Sequence, residues 1–174
     1  MGFAVGIAGI SRSGKSTMAN RLAAELDCPV IGIDSYQIGT IRKTKENGEE
    51  WEDWEDPAGH DLERFYQDLL RLKQGDGVVV AEGFLLYHDP RIVQALDLKL
   101  HLDLPKEVAK ARRAATKNLT PNFEEYYEHI WSAYFEYNDL SSPNIHFIDA
   151  TASSEEVFAR VTALYRQHSA YANS

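Results

Sequence analysis

The chain has 174 residues, a formal net charge of −9, 44% apolar residues and a single cysteine. That length suits one domain with a real core. The acidic balance argues against a general nucleic-acid binder, which needs clustered Lys and Arg, and the lone Cys28 excludes an intrachain disulfide and a cysteine-based zinc site. No run approaches the ~18 apolar residues of a membrane span. The opening "MGFAVGIAG" lacks the basic region of a signal peptide, so a cytoplasmic protein is expected, monomeric or homodimeric, with no nucleic-acid or membrane partner.

In chain order, "FAVGIAG" (3–9) reads as a buried strand. "KSTMANRLAAEL" (15–26) reads as a helix with Met18, Leu22 and Leu26 on one face. "PVIGI" (29–33) is a second short strand, with Asp34 at its end. Residues 35 to about 60 carry no convincing element, and a loop of that length in a compact domain is often functional. "DLERFYQDLLRL" (61–72) spaces Leu62, Phe65, Tyr66, Leu69 and Leu70 along a helical face, and Gly75 is a plausible stop. "GVVVAEG" (77–83) is a third strand. "LKLHLDL" (98–104) alternates, which predicts one wetter face. Pro105 starts the helix "PKEVAKARRAAT", and Thr120–Pro121 reads as the cap and first turn of a helix to about Tyr137. "IHFIDA" (145–150) is a last strand, and Ser153 with Glu156 forms a capping-box pattern before a final helix. Strand–helix alternation with continuous apolar strands predicts a parallel sheet covered on both faces. Ligands of such sheets sit at the carboxyl ends of the strands, so the residues from Gly9, Asp34 and Glu82 onward should line one crevice.

"GISRSGKST" (9–17) fits G-x-x-x-x-G-K-[ST], between a predicted strand and a predicted helix. The chemistry requires this spacing. Glycines allow the loop to curl until successive backbone N–H groups point at one anion, and the helix that follows adds its dipole. The cradle comprises Gly9, Ser11, Arg12, Ser13, Gly14, Lys15, Ser16 and Thr17. Lys15 reaches the β- and γ-phosphates of ATP, and the Ser16 hydroxyl ligates Mg²⁺. Arg12 stands at a variable loop position that commonly faces solvent.

Asp34 is placed to accept or orient the proton of an attacking hydroxyl in an in-line phosphoryl transfer; the alternative is a strand-end turn former. Glu82, ending the third strand, serves Mg²⁺ or supports Asp34, against the plain reading of a solvated strand end. The catalytic set is therefore Lys15, Asp34 and Glu82, and the metal set Ser16 and Glu82. Lys110, Arg112, Arg113 and Lys117 form a basic stretch that can act as a lid over about 112–121, neutralising charge on the transferred group; an ordinary charged helix face is the alternative. The six histidines show no ligand spacing.

"GIAGISRSGKST", "GIDSY", "WEDP", "AEGFLLY", "DLPKEVAKARR" and "FIDAT" stand in this order over nearly the whole chain. In this the chain resembles the nicotinamide riboside kinases of the uridine kinase-like P-loop group. The resemblance implies a three-layer P-loop kinase fold with a five-stranded parallel sheet, helices on both faces and a small lid. It also implies ATP- and Mg²⁺-dependent phosphorylation of a nucleoside 5′-hydroxyl. By matched position it implies that Asp34 is the acceptor-side carboxylate, that Glu82 lies near Mg²⁺, and that Asp56 binds the ribose hydroxyls with Arg113 beside it. Ala150 and Thr151, after Asp149, would border adenine, with Arg112 on the nucleotide side. The pattern departs at three places. Glu55 stands where the family usually has an aromatic residue, with Trp54 one place earlier. Thr116 replaces a second lid arginine. The second base-stacking aromatic falls near Asn118, with Phe123 close by.

The stretch "EEWEDWEDP" (49–57) sets six carboxylates around Trp51 and Trp54. An indole face attracts a cationic ring, and nearby acids would concentrate a cationic nucleoside over a neutral one. One reading is that Trp54 or Trp51 stacks a pyridinium while Asp56 holds the ribose. The plainer one is a solvated acidic loop with its indoles packed on the core. Uridine, cytidine or another hydroxyl metabolite is an alternative acceptor, and a non-catalytic ATP-binding module is a third possibility. A GTPase would carry N-K-x-D, which "TKNL" (116–119) does not supply.

Overall fold

The computed structural model describes residues 2–116, 122–142 and 144–172. Five parallel strands, β1 (Phe3–Gly9), β2 (Val30–Gly32), β5 (Val78–Gly83), β6 (Leu98–Asp103) and β7 (Ile145–Asp149), form a sheet in the order β2-β5-β1-β6-β7. A second, two-stranded antiparallel sheet pairs β3 (Ile41–Thr44) with β4 (Glu50–Asp53). β1 is buried along its whole length, as a central strand without polar side chains should be.

Right-handed crossovers and the observed helix contacts fix the layers. α1 (Lys15–Leu26) and α6 (Ser154–Ala172) pack together on one face, joined by Arg21–Glu155 at 2.8 Å and Arg166–Glu25 at 3.0 Å. α2 (Leu62–Leu72), α3 (Pro90–Ala95), α4 (Lys106–Ala114) and α5 (Phe123–Tyr137) follow the crossovers on the other side. Phe65, Leu69, Tyr127, Ile130 and Tyr134 are buried there. The start of α6 is the expected capping box: Glu156 N–H donates to Ser153 Oγ, and the Ser153 N–H donates to Glu156 Oε2. Gly75, with φ +81°, lies just past α2.

The structure departs from the sequence reading in three places. Residues 35–60 are not structureless: they hold the β3–β4 hairpin between two 3-10 turns, Ile33–Tyr36 and Pro57–Gly59. Asn47–Gly48, with Gly48 at φ +86°, is the turn signal that marks it. β6 has the wetter face expected of it: Leu98, Leu100 and Leu102 are buried on one side, while on the other Lys99 is half-buried and Asp103 exposed, with His101 buried between them. α3 is an additional short helix, started by Asp89, which accepts from Arg91 N–H, and by Pro90. β2 stops at Gly32, so Asp34 sits in the 3-10 turn after the strand rather than at its end. The expected cap at Thr120–Pro121, and Lys117 and Asn118, lie outside the described residues.

Candidate active site

The loop between β1 and α1 has the curvature that anion binding needs. Arg12 and Gly14 have φ of +69° and +96°, a left-handed sequence of turns. Ser13 N–H closes one turn on Ile10 C=O at 3.0 Å. The first bond of α1 runs from Met18 N–H to Gly14 C=O, so the amides of Lys15, Ser16 and Thr17 have no partner within the helix. A side chain on Gly9 would come within 2.4 Å of Ser13 Oγ; glycine is needed there for close packing. Ser13 Oγ is itself buried with no hydrogen-bond partner, an orphaned polar atom beneath the loop.

Four functional side chains meet at the strand ends. Glu82 lies beside Gly32 in register, and a Cβ on Gly32 would stand 2.7 Å from its Oε1. Ser16 Oγ donates to Glu82 Oε2 at 3.1 Å. Burial raises the Glu82 pKa; Lys15 and Ser16 pull it down, while the Asp34 charge adds to the rise. Lys15, Ser16, Glu82 and Asp34 thus share one electrostatic environment, although Asp34 and Glu82 are 48 positions apart in the chain. The donors are hydroxyl and carboxylate oxygens, the hard set that suits Mg²⁺. Among the described residues no three His, Cys, Asp or Glu side chains form a metal cage.

From this point the cleft runs under the hairpin. A small cavity of about 140 Å³ is lined by Asp34, Gln37, Trp54, Glu55, His60 and Phe84, among others. Trp54, 54% exposed, also lines a larger cavity of about 400 Å³ with Trp51, Phe123, Tyr126, His129 and Arg113. Trp54 is therefore the partition between the two.

The acids of "EEWEDWEDP" are mostly paired with the cations of "RKTK" (42–45) across the hairpin. Glu50 and Glu52 lie 3.7 and 3.4 Å from Arg42, and Glu49 lies 3.2 Å from Lys45. Asp53 is wholly buried and accepts from Lys43 Nζ (2.6 Å), His129 Nε2 (2.8 Å) and Glu55 N–H (3.0 Å). Burial alone would raise its pKa, but these donors outweigh it and hold the group at about 2. Asp56 accepts from Ala58 N–H with Oδ1 and meets Lys43 Nζ with Oδ2 at 2.8 Å. Burial opposes and these partners outweigh it, so its pKa is lowered.

Glu55 differs from its neighbours. It accepts from the Tyr126 hydroxyl at 3.3 Å and faces the Asp34 cavity. Burial raises its pKa, with Arg113 pulling the other way. Asp56, expected at the ribose, is occupied as a turn cap and lysine partner; the adjacent Glu55 is the carboxylate that fronts the cleft. The shift by one residue follows from the hairpin, since the Asp53 side chain points inward and fixes which of the next residues face the cavity.

The basic stretch is docked on the nucleotide side. Arg112 donates to Ala150 C=O at 2.9 Å, and Arg113 donates to Ser11 Oγ at 2.6 Å. Lys110 pairs with Glu124. Ala150 is buried, its N–H bonded to Asp103 C=O, and Asp149 Oδ1 accepts from Thr151 N–H and Oγ1. Phe123 lines the larger cavity. Sequence reasoning missed Tyr126, His129 and Lys43. The regular spacing of Tyr126, His129 and Tyr137 along α5 is the only local signal for them, and their partners come from the distant hairpin.

No family model matches the chain. Among curated proteins it is 25% identical to nicotinamide riboside kinase 1 of Homo sapiens, over 91% of this chain and 89% of that protein. It is 26% identical to the uridine kinase of Saccharomyces cerevisiae, over 64% of this chain and 28% of that protein. Among solved structures, a gluconokinase from Sinorhizobium meliloti superposes with a TM-score of 0.64 at 16% identity, covering 99% of this chain and 97% of that one. That likeness shows the fold. With the phosphate-loop motif, the carboxylates at the strand ends and the basic helix all in place, the chain is similar over most of its length to nicotinamide riboside kinases and to uridine kinase-like proteins, at about 25% identity.

Proposed function

We propose that the protein transfers the γ-phosphoryl group of ATP to the 5′-hydroxyl of a nucleoside, with nicotinamide riboside as the preferred acceptor. The observation that carries this reading is the convergence of Lys15, Ser16, Glu82 and Asp34 at the mouth of a cleft whose wall is Trp54. The cradle amides and Lys15 hold the triphosphate. Asp34 accepts the proton of the incoming alcohol, and Arg113, anchored beside the loop, balances charge on the transferred group. Ser16 and Glu82 would hold Mg²⁺, which when bound neutralises charge across the phosphate oxygens. Arg112, Ala150 and Thr151 border the adenine side.

On the acceptor side, Glu55 takes the ribose diol in the cavity it shares with Asp34, and Trp54 lines both that cavity and the larger one. The base therefore extends past Trp54 toward Phe123 and Tyr126. A pyridinium on an indole face gains about 0.5–2 kcal/mol. A second reading, uridine or cytidine as acceptor, is favoured by one fact: Glu49, Glu50, Glu52, Asp53 and Asp56 all have cationic partners, so the field rests on Glu55 and Asp34 alone. The deciding experiment is ADP release with nicotinamide riboside, uridine and cytidine as competing acceptors at low and high salt. Nicotinamide riboside should give the highest kcat/KM, declining as salt rises. A preference for uridine at every salt concentration overturns the acceptor assignment and leaves the kinase intact.

A further inference from the structure

Three side-chain contacts join the phosphate loop to the acceptor wall in an unbroken line. Arg113 Nη1 donates to Ser11 Oγ at 2.6 Å, Arg113 Nη2 donates to the Tyr126 hydroxyl at 3.4 Å, and that hydroxyl donates to Glu55 Oε1 at 3.3 Å. The guanidinium also lies over the Tyr126 ring, 5.2 Å from its centre. The four residues come from four separate elements: the loop after β1, α4, α5 and the segment after β4. None of these contacts is between sheet strands; Ser11, Arg113 and Glu55 lie outside the apolar core, and Tyr126 packs against its edge.

We propose that Tyr126 is a positioning residue that couples occupancy of the phosphate loop to the order of the acceptor wall. This rests on the reading of residues 9–17 as a triphosphate cradle. Arg113 is the shared element. An anion in the loop attracts the same guanidinium that Ser11 holds, which restricts it further. Tyr126 is bound to that guanidinium by both a hydrogen bond and its ring face. Its hydroxyl is the donor that Glu55 uses, and Glu55 N–H is in turn held by the buried Asp53. Order imposed at Ser11 therefore reaches Glu55 and Trp54 through rigid donors rather than through solvent. By linkage, an acceptor seated against Glu55 raises nucleotide affinity by the same factor.

Hydrogen exchange on the full chain, with and without a non-hydrolysable ATP analogue and Mg²⁺, tests this. In the wild type the analogue slows exchange in 9–17 and also in 50–56, the latter by about tenfold, within the usual range of site–site coupling. In Tyr126→Phe, which keeps the ring and loses the hydroxyl, 9–17 still slows and 50–56 does not. Glu55→Ala breaks the line at its acceptor end, outside the cradle, and gives the same result, which keeps the test decisive if Tyr126→Phe folds poorly. If 50–56 ignores the analogue in the wild type, or both variants retain its response, the coupling is overturned while the cradle stands. If 9–17 does not respond in the wild type, the cradle reading itself falls and takes the coupling with it.

Discussion

The two walls of the cleft are built by different means. The nucleotide wall is mostly main chain: a loop with left-handed turns at Arg12 and Gly14, a helix start, and the ends of β1, β2 and β5. The acceptor wall is mostly side chain: a hairpin fastened to α5 by His129–Asp53, Tyr126–Glu55, Lys43–Tyr137 and Lys45–Glu125. A main-chain site is specified by a few neighbouring residues, and it tolerates change elsewhere. A side-chain site depends on pairs far apart in sequence, so one substitution on either partner disturbs it.

The largest expected effect separates chemistry from binding on the first wall. Asp34→Asn should lower kcat by about 10²–10⁴, the usual contribution of a positioned acid–base group, while calorimetry finds the affinity for an ATP analogue essentially unchanged. A variant with wild-type turnover would remove Asp34 from the mechanism. On the second wall, Asp53→Ala takes the carboxylate partner from His129 and leaves Lys43 with Asp56 and Tyr137, and should cost about 1.5–3 kcal/mol in denaturant unfolding. It should raise the KM for the acceptor far more than the KM for ATP. Equal changes in both KM values would mean that the two walls are not separately built. The same residue sets an acid limit. Its folded pKa of about 2 lies below the ordinary carboxylate value of 3.8, so its stabilisation is complete above the unfolded value and is lost as pH falls from about 4 through 2.

Trp54→Ala should raise the acceptor KM about tenfold, the loss of roughly 1–2 kcal/mol of stacking and cation–π attraction, without moving the KM for ATP. The smallest effect lies away from both walls, at His101. Its ring nitrogens are buried without a hydrogen-bond partner, beside Tyr134 and Phe147. Burial lowers its pKa, against a small opposing pull from Asp103. A lowered folded pKa means that stability is full above the unfolded value near 6.5 and falls as pH drops below it. His101→Leu should be neutral or stabilising by about 1 kcal/mol, and should flatten the melting temperature between pH 7 and 5. A variant that keeps the wild-type pH slope would place its origin elsewhere, with the His146–His168 pair the next group to test.

The difference between the walls also explains what could be read in advance. Gly9, Gly14, Lys15 and Ser16 are recognisable because the geometry of a curled loop before a helix admits few residue types, all within nine positions. That the strands form a buried parallel sheet follows from their apolar continuity, whereas their order is set by the tertiary structure. The hairpin was passed over because its charges suggested solvent, yet those charges are its cross-strand pairs. The alternation in β6 gives its wetter face, with Lys99 half-buried and Asp103 exposed, but only the sheet decides that His101 on that face is buried while Lys99 reaches Leu96 C=O.

By itself the sequence determined the phosphate-loop motif, the parallel sheet and the carboxylates at or just past the ends of β2 and β5, since each depends on local spacing and on strands too apolar to lie at a surface. Tertiary structure alone decided that Glu55 rather than Asp56 fronts the cleft, that Asp53 is a buried anchor, and that Tyr126 stands between the two walls. Those outcomes turn on which side chain of a hairpin points inward. That choice is made by partners on α5 more than 70 positions away, through contacts that no local pattern records.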